Sequence, residues 1–233
     1  MKILHVWDQA GVACVLSKYL KKENIQSEVF KRQGYDPFHI LEFYGFKEQK
    51  SFFGAHGFLR NAINQSKNYD IIHLHDIYEI IPQLISIGKK IVLHYHGSKL
   101  RITPYHKREK AENLTNLILV STSDLLKYSE KAIYLPNPVD LDHFCLLSKT
   151  TKPMPLPRNI KYQDMPKYIS NFGFYKDYRI DNNQNELPLS LLALQCLAEN
   201  LTVINQGKEY KGLPKEHHPK NVVNRLIDLY EKM

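Results

Sequence analysis

Asp70-Ile71-Ile72-His73-Leu74-His75-Asp76 and, beyond a helical stretch from Ile80 to Ile87, Lys90-Ile91-Val92-Leu93-His94-Tyr95-His96-Gly97 decide the fold. Each is a short, nearly continuous apolar run bounded by polar residues, the pattern of a strand buried on both faces. A helix between two such strands implies a parallel pair, because an antiparallel pair needs only a tight hairpin. The same alternation extends in both directions. Upstream, Ile3 to Val6 is strand-like, Asp8-Gln9-Ala10-Gly11 is a turn, and Val12, Val15, Leu16, Tyr19 and Leu20 fall at helical spacing before a strand at Ser27 to Phe30. Asp36 to Gly57 is aromatic and reads as an irregular loop, and Phe58 to Ser66 as a short helix. Downstream, Asn116 to Val120 is a strand, Ser123 caps a helix reaching Tyr128, and Ala132 to Leu135 is a strand closed by Pro136-Asn137-Pro138. The reading is an α/β protein with a doubly wound, Rossmann-like parallel sheet. Ligands of such sheets bind at the carboxyl ends of the strands, where Gly11, Asp76, His96-Gly97 and Ser121-Thr122-Ser123 fall.

Composition shifts after Phe144. Residues 1–145 form the first domain, 146–160 read as a polar, proline-bearing linker, and 161–233 as a reduced second α/β region. That region offers helices near Met165 to Asn171 and Ser190 to Ala198, a strand at Leu201 to Ile204, and an amphipathic helix opening at Pro219. About one βα unit is too little for an independent sheet. The chain length of 233 residues agrees, since two full α/β domains need roughly 300.

Thirty-two Lys+Arg against 24 Asp+Glu give a net charge of +8, compatible with nucleic acid, anionic lipid or a phosphorylated substrate. The basic residues are dispersed, with no dominant stripe. The three cysteines, Cys14, Cys145 and Cys196, lack CxxC spacing and read as reduced thiols of a cytoplasmic protein. The N-terminal apolar run is too short for a signal peptide, and nowhere do about 20 apolar residues follow one another.

Three features carry chemistry. His73-x-His75 and His94-x-His96 each place two imidazoles on one strand face, an arrangement that suits zinc. No further group at ligand spacing completes a set, so the expectation is no metal, with the histidines lining a cleft or satisfied within the sheet. The Asp8–Gly11 turn before a helix aims backbone N–H groups at an anion, although it is not a dinucleotide fingerprint. His96-Gly97-Ser98-Lys99-Leu100-Arg101 combines open space at a strand end with donors for phosphate or sugar hydroxyls.

These segments resemble the family 4 glycosyltransferases, enzymes of the GT-B fold with two Rossmann-like domains. The likeness runs through the Gly11 turn, Asp70–His75, His94–Arg101, Leu119-Val120-Ser121-Thr122-Ser123-Asp124-Leu125-Leu126 and Tyr134–Phe144, in the family's order over residues 1–145. It continues in Ser190–Ala198 with Leu201–Ile204, and in His218-Pro219-Lys220-Asn221-Val222-Val223. The resemblance implies transfer of a sugar from a nucleotide-diphosphate sugar, a co-substrate, to a glycan or lipid-linked acceptor, with no cofactor and no essential metal. It implies His96 as the catalytic residue beside the transferred sugar. Gly11, Glu186, Ser190 and Gln195 would serve the donor, and Asp76, Ser98, Lys99 and Arg101 the acceptor side. A nucleic-acid partner is not expected; peripheral contact with an anionic membrane and a partner subunit both fit.

The chain departs from the family pattern in places. Gln195 stands where a ribose-binding Glu is usual, keeping an acceptor oxygen without the charge. Its companion Glu would fall on Leu187, one position from Glu186. The basic pair that neutralises the leaving diphosphate has no counterpart, and Lys99 replaces a frequently acidic residue. Two alternatives therefore stand beside the transferase: a catalytically impaired binding or partner protein, and, as a minor one, a His-cluster metal hydrolase.

Overall fold

The computed structural model describes residues 1–147, 150–177 and 187–233. The first part is built from β1 (Lys2–Val6), α1 (Val12–Lys22), β2 (Gln26–Phe30), α2 (Ile40–Phe43), α3 (Gly54–Ser66), β3 (Ile71–His75), α4 (Ile81–Ser86), β4 (Lys90–Tyr95), α5 (Ser98–Ile102), α6 (Tyr105–Leu114), β5 (Leu117–Val120) and β6 (Ala132–Tyr134). All six strands are parallel, in the order β2-β1-β3-β4-β5-β6. Chain progression therefore reverses between β1 and β3, which opens a crevice at their carboxyl ends.

Strand alternation divides the side chains between two layers. Leu4, Val6, Ile72, Leu74, Ile91, Leu93 and Tyr95 pack beneath Phe58 and Ala62 of α3, Ile81 and Leu84 of α4, and Ala111 of α6. On the opposite face Ile3, Ile71, Val92 and Leu119 meet Val12, Leu16 and Leu20 of α1. Both faces are dry, so the strands can be apolar throughout, as their sequence requires.

The second part comprises β7 (Pro153–Met154), α7 (Met165–Ile169), β8 (Phe174–Lys176), α8 (Leu191–Ala198), β9 (Thr202–Asn205), β10 (Lys208–Tyr210) and α9 (Pro219–Glu231). Its sheet has the order β10-β9-β8-β7, parallel except for the β9–β10 hairpin. Gln206 and Gly207 turn that hairpin with φ of 51° and 78°, the left-handed pair that a two-residue turn demands. The second sheet has four strands against six in the first. α9 returns to the first sheet: Val222, Val223, Leu226 and Tyr230 lie in the same apolar layer as α1.

Local expectations are corrected in four places. The stretch read as loop holds α2, and α3 begins at Gly54 rather than Phe58. Ser123–Tyr128 is a 3₁₀ helix, not an α-helix. The stretch read as linker contains β7, which pairs with β8. Beyond the single expected strand, β7, β8 and β10 complete a four-stranded sheet; each has only two or three residues, too few to show a period. Among the described residues, no helix is long and apolar enough to cross a membrane.

Candidate functional site

β1, β3 and β4 end side by side, and their last residues build the site. At the switch between β1 and β3 lies a cavity of about 400 Å³. Trp7 and Gln9 follow β1; Asp76, Ile77 and Glu79 follow β3; Phe58 and Leu59 come from α3; Arg32, Tyr35 and Lys99 close the sides. Trp7 packs on Tyr35 at 5.1 Å between ring centres and on Phe58 at 5.9 Å, edge to face. Trp7 and Asp76 both occupy left-handed backbone conformations, with φ of 75° and 56°, that turn the chain sharply off the strands. The cavity thus combines aromatic faces with two carboxylates and two cations.

Asp76 Oδ1 accepts the backbone N–H of His96 at 3.1 Å, which ties the end of β3 to the end of β4. Burial pushes its carboxyl up to about 6. Lys99 donates to Glu79 at 2.8 Å and lies over the Tyr78 ring. Arg101 is held by Asp124 through two hydrogen bonds of 3.2 and 2.7 Å. Gly97 makes room for it: at φ 132° a Cβ would come within 2.8 Å of the Arg101 guanidinium. Ser98 opens α5. Of the acceptor-side residues expected from the sequence, Asp76 and Lys99 line the cavity, while Arg101 is turned to Asp124.

His96 sits next to the cavity wall, bonded ring to ring to His75 at 2.8 Å. Burial holds its imidazole down at about 4, against the pull of Asp8. His5 and His75 are joined at 3.0 Å, His73 and His94 at 3.2 Å, and His73 reaches the Tyr230 hydroxyl of α9 at 2.6 Å. Sequence reading found the two His-x-His pairs but missed His5. The signal was present: Lys2-Ile3-Leu4-His5 and Asp70-Ile71-Ile72-His73 share a pattern, and the register pairs His5 with His73.

The donor-side candidates are arranged differently. The α1 N-terminus is occupied by the chain's own carboxylate: Asp8 accepts from Gly11 N at 3.0 Å and Ala13 N at 2.8 Å. Burial raises the Asp8 carboxyl, with Lys31 at 3.7 Å opposing. Gly11 is pressed on Ile40, whose Cγ2 a Cβ would meet at 3.2 Å. Ser190 caps α8 by accepting from Ala193 N at 3.0 Å, and its own N–H goes to Asp177 at 2.7 Å. Gln195 is buried in α8. Ala13 and Cys14 of α1 and Ala193 and Leu194 of α8 belong to one apolar cluster. Glu186 lies outside the described residues.

A switch-point crevice on a parallel sheet, with a second α/β unit packed beside it, is the GT-B class of architecture. One solved structure shares the fold. UDP-GlcNAc 2-epimerase from Neisseria meningitidis, bound to UDP-GlcNAc, is 12% identical with a TM-score of 0.54, covering 99% of this chain and 92% of that one. Acinetobacter baumannii MurG is 9% identical (TM-score 0.49, all of both chains), and the Streptomyces sp. SF2575 glycosyltransferase SsfS6 is 8% identical (TM-score 0.49, 100% of this chain and 86% of that one). At 12% identity the likeness to the epimerase is one of fold. No protein-family model and no curated protein matches the chain.

Proposed function

We propose that the chain is a glycosyltransferase-like protein of the family 4 type, in which the cavity at the β1/β3 switch receives the saccharide of a glycan or lipid-linked acceptor. The observation that carries this reading is the cavity's composition. Trp7, Tyr35 and Phe58 offer flat apolar faces for a sugar ring, while Asp76, Glu79, Arg32, Lys99 and Gln9 offer hydrogen-bond partners for its hydroxyls. Residues 1–145 are the acceptor side and 161–233 the donor side. The nucleotide-diphosphate sugar would approach α1 and α8, with His96 facing the transferred sugar, and the transfer itself calls for no cofactor. A lipid-linked acceptor is supported by Phe52 and Phe53, 94% and 81% exposed. They precede the cavity residue Ala55 and are flanked by exposed Lys47 and Lys50, a composition suited to the surface of an anionic membrane.

A second reading, a saccharide-binding partner protein without transfer activity, is favoured by one feature. Asp177 and Asp8 place carboxylates at the amino ends of α8 and α1, where a diphosphate would be repelled.

The chain's one tryptophan is Trp7, so its fluorescence reports the cavity directly. Titration with oligosaccharides should change Trp7 emission saturably, and Asp76→Ala should weaken that binding at least ~10-fold, the loss of one or two hydrogen bonds to hydroxyls. Nucleotide-sugar binding with release of the nucleotide diphosphate in the presence of acceptor selects the transferase. Saccharide binding without donor binding at millimolar concentration selects the partner protein. No fluorescence response to any saccharide rejects both.

A further inference from the structure

His5, His73, His75, His94 and His96 form a buried array on one face of β1, β3 and β4, beneath α1 and α9. Four of the five are wholly inaccessible to solvent, and His96 is partly exposed at the sheet's carboxyl edge. An apolar residue at each of these positions would satisfy the layer; five imidazoles need another reason. Ring-to-ring bonds and the Tyr230 hydroxyl engage most of the ring nitrogens. Three buried nitrogens are left without a partner: His5 Nε2, His94 Nε2 and His96 Nδ1. Each such orphan bears an uncompensated desolvation cost, and a buried polar atom left unpaired marks a place for a bound ion or water.

We propose that His75, His94 and His96 bind one zinc-class divalent cation at the carboxyl edge of β3 and β4. Ligand atoms of these three lie within 4.8 Å of one another. Four-coordinate zinc with Zn–N of about 2.0–2.1 Å separates its nitrogens by about 3.4 Å, so nitrogens up to 4.8 Å apart must close by about 1.4 Å at most as the rings turn. The remaining nitrogens supply the outer support that metal-bound imidazoles require. His75 Nε2 is held by His5 Nδ1, so His75 Nδ1, which meets His96 Nε2 at 2.8 Å in the metal-free protein, would exchange that ring-to-ring bond for the metal. His94 Nδ1 is held by His73 Nε2, itself anchored through Nδ1 to Tyr230, which leaves the orphaned His94 Nε2. One set of tautomers satisfies every one of these bonds: His75 carries its proton on Nε2, and His94 and His73 carry theirs on Nδ1. His96, the partly exposed member, provides the entry path and an open fourth position toward the rim. His5 and His73 are positioning residues that act through His75 and His94.

The cation site shares His96 with the sugar reading and His75 with the cavity wall, but its readout is metal binding and not saccharide binding, so failure of one leaves the other standing. The test uses the full chain after dialysis against a chelator, titrated with Co²⁺ as the spectroscopic probe and back-titrated with Zn²⁺. The expected result is one Co²⁺ per chain with the intense visible bands of four-coordinate cobalt, displaced by one Zn²⁺. His94→Gln and His96→Gln should abolish those bands, His5→Gln should weaken binding ~10–100-fold through its loss of support to His75, and His56→Gln and His106→Gln, at exposed positions, should leave them unchanged. Far-UV circular dichroism identifies any variant that fails to fold. Nitrogen-15 spectra of the unaltered protein serve independently of the variants, with Zn²⁺ expected to shift His75 Nδ1 and His94 Nε2. Absence of binding at ~100 μM metal, six-coordinate cobalt spectra, or ring nitrogens unmoved by Zn²⁺ would overturn the proposal and leave a hydrogen-bonded imidazole array.

Discussion

Asp140 shows how single side chains organise this molecule. Its carboxylate is buried, and it accepts from Lys18 Nζ at 2.7 and 2.8 Å, from the Tyr19 hydroxyl at 3.2 Å and from the Tyr44 hydroxyl at 2.7 Å. Those donors come from α1 and from the residue that ends α2, so one acid in the Pro136–Asp142 turn fixes where the chain leaves the first sheet. Removing it would strand a lysine and two hydroxyls that have been drawn out of water. Breaking a buried, multiply bonded ion pair costs about 3–5 kcal/mol, and the partial exposure of Lys18 places this one at the lower end. Asp140→Ala is therefore expected to lower the free energy of unfolding by about 3 kcal/mol in urea melts. A change below ~1 kcal/mol would mean that water takes over the donors. The sequence shows Asp140 within a recognisable Pro-Asn-Pro-Val-Asp segment, but not its partners, because Lys18 and Tyr44 lie far from it along the chain. The same limit applies to Arg101: its place in the loop reads as a free donor, whereas Asp124 occupies it through space.

At the scale of elements, α8 carries a strained group of a different kind. Glu199 closes the helix, is wholly buried, and burial pushes its carboxyl up to about 7. Cys196 on the same helix is likewise raised, with Glu199 among the causes after burial. A carboxyl whose pKa is higher folded than unfolded favours the folded state when protonated. Its contribution is thus complete below the unfolded value near 4.5 and is lost as pH rises through about 7. Unfolding measurements on the parent chain and on Glu199→Gln should diverge across pH 5 to 8.5, the parent losing up to ~1.4 kcal/mol per pH unit relative to the variant. Parallel curves would show that the carboxylate is solvated at no cost. The elements legible in sequence were those whose burial is continuous: β1, β3, β4 and β5 are buried on both faces and announce themselves by apolar runs that only the histidines interrupt. α8 was legible from its serine cap and apolar run. β7, β8 and β10 were not, because strands of two or three residues are defined by their neighbours' hydrogen bonds and not by their own side chains.

For the whole molecule, the question is whether two sheets make two folding units. Their apolar clusters answer it. Val29, Ile40, Leu41 and Phe46 of the first part share one core with Met154, Tyr175, Leu194 and Val203 of the second. α9, the last element, covers the first sheet with Val222, Val223, Leu226 and Tyr230. Separating the parts would expose a core that belongs to both and would strip one face of the first sheet, leaving intact the layer beneath α3, α4 and α6. At roughly 25 cal/mol per Å² of apolar surface, such exposure exceeds what a chain of marginal stability tolerates. Unfolding is therefore expected to be a single cooperative transition. Trp7 fluorescence, which reports the first sheet, should fall on the same thermal curve as far-UV circular dichroism. Hydrogen exchange should give the amides of β9 opening free energies within ~1 kcal/mol of those of β3 and β4. Two resolved transitions, or β9 exchanging several kcal/mol more easily than β4, would show that the shared core is a contact between independent units. In that case the placement of α1 relative to α8, on which the proposed donor site depends, would be set by the ligand and not by the fold.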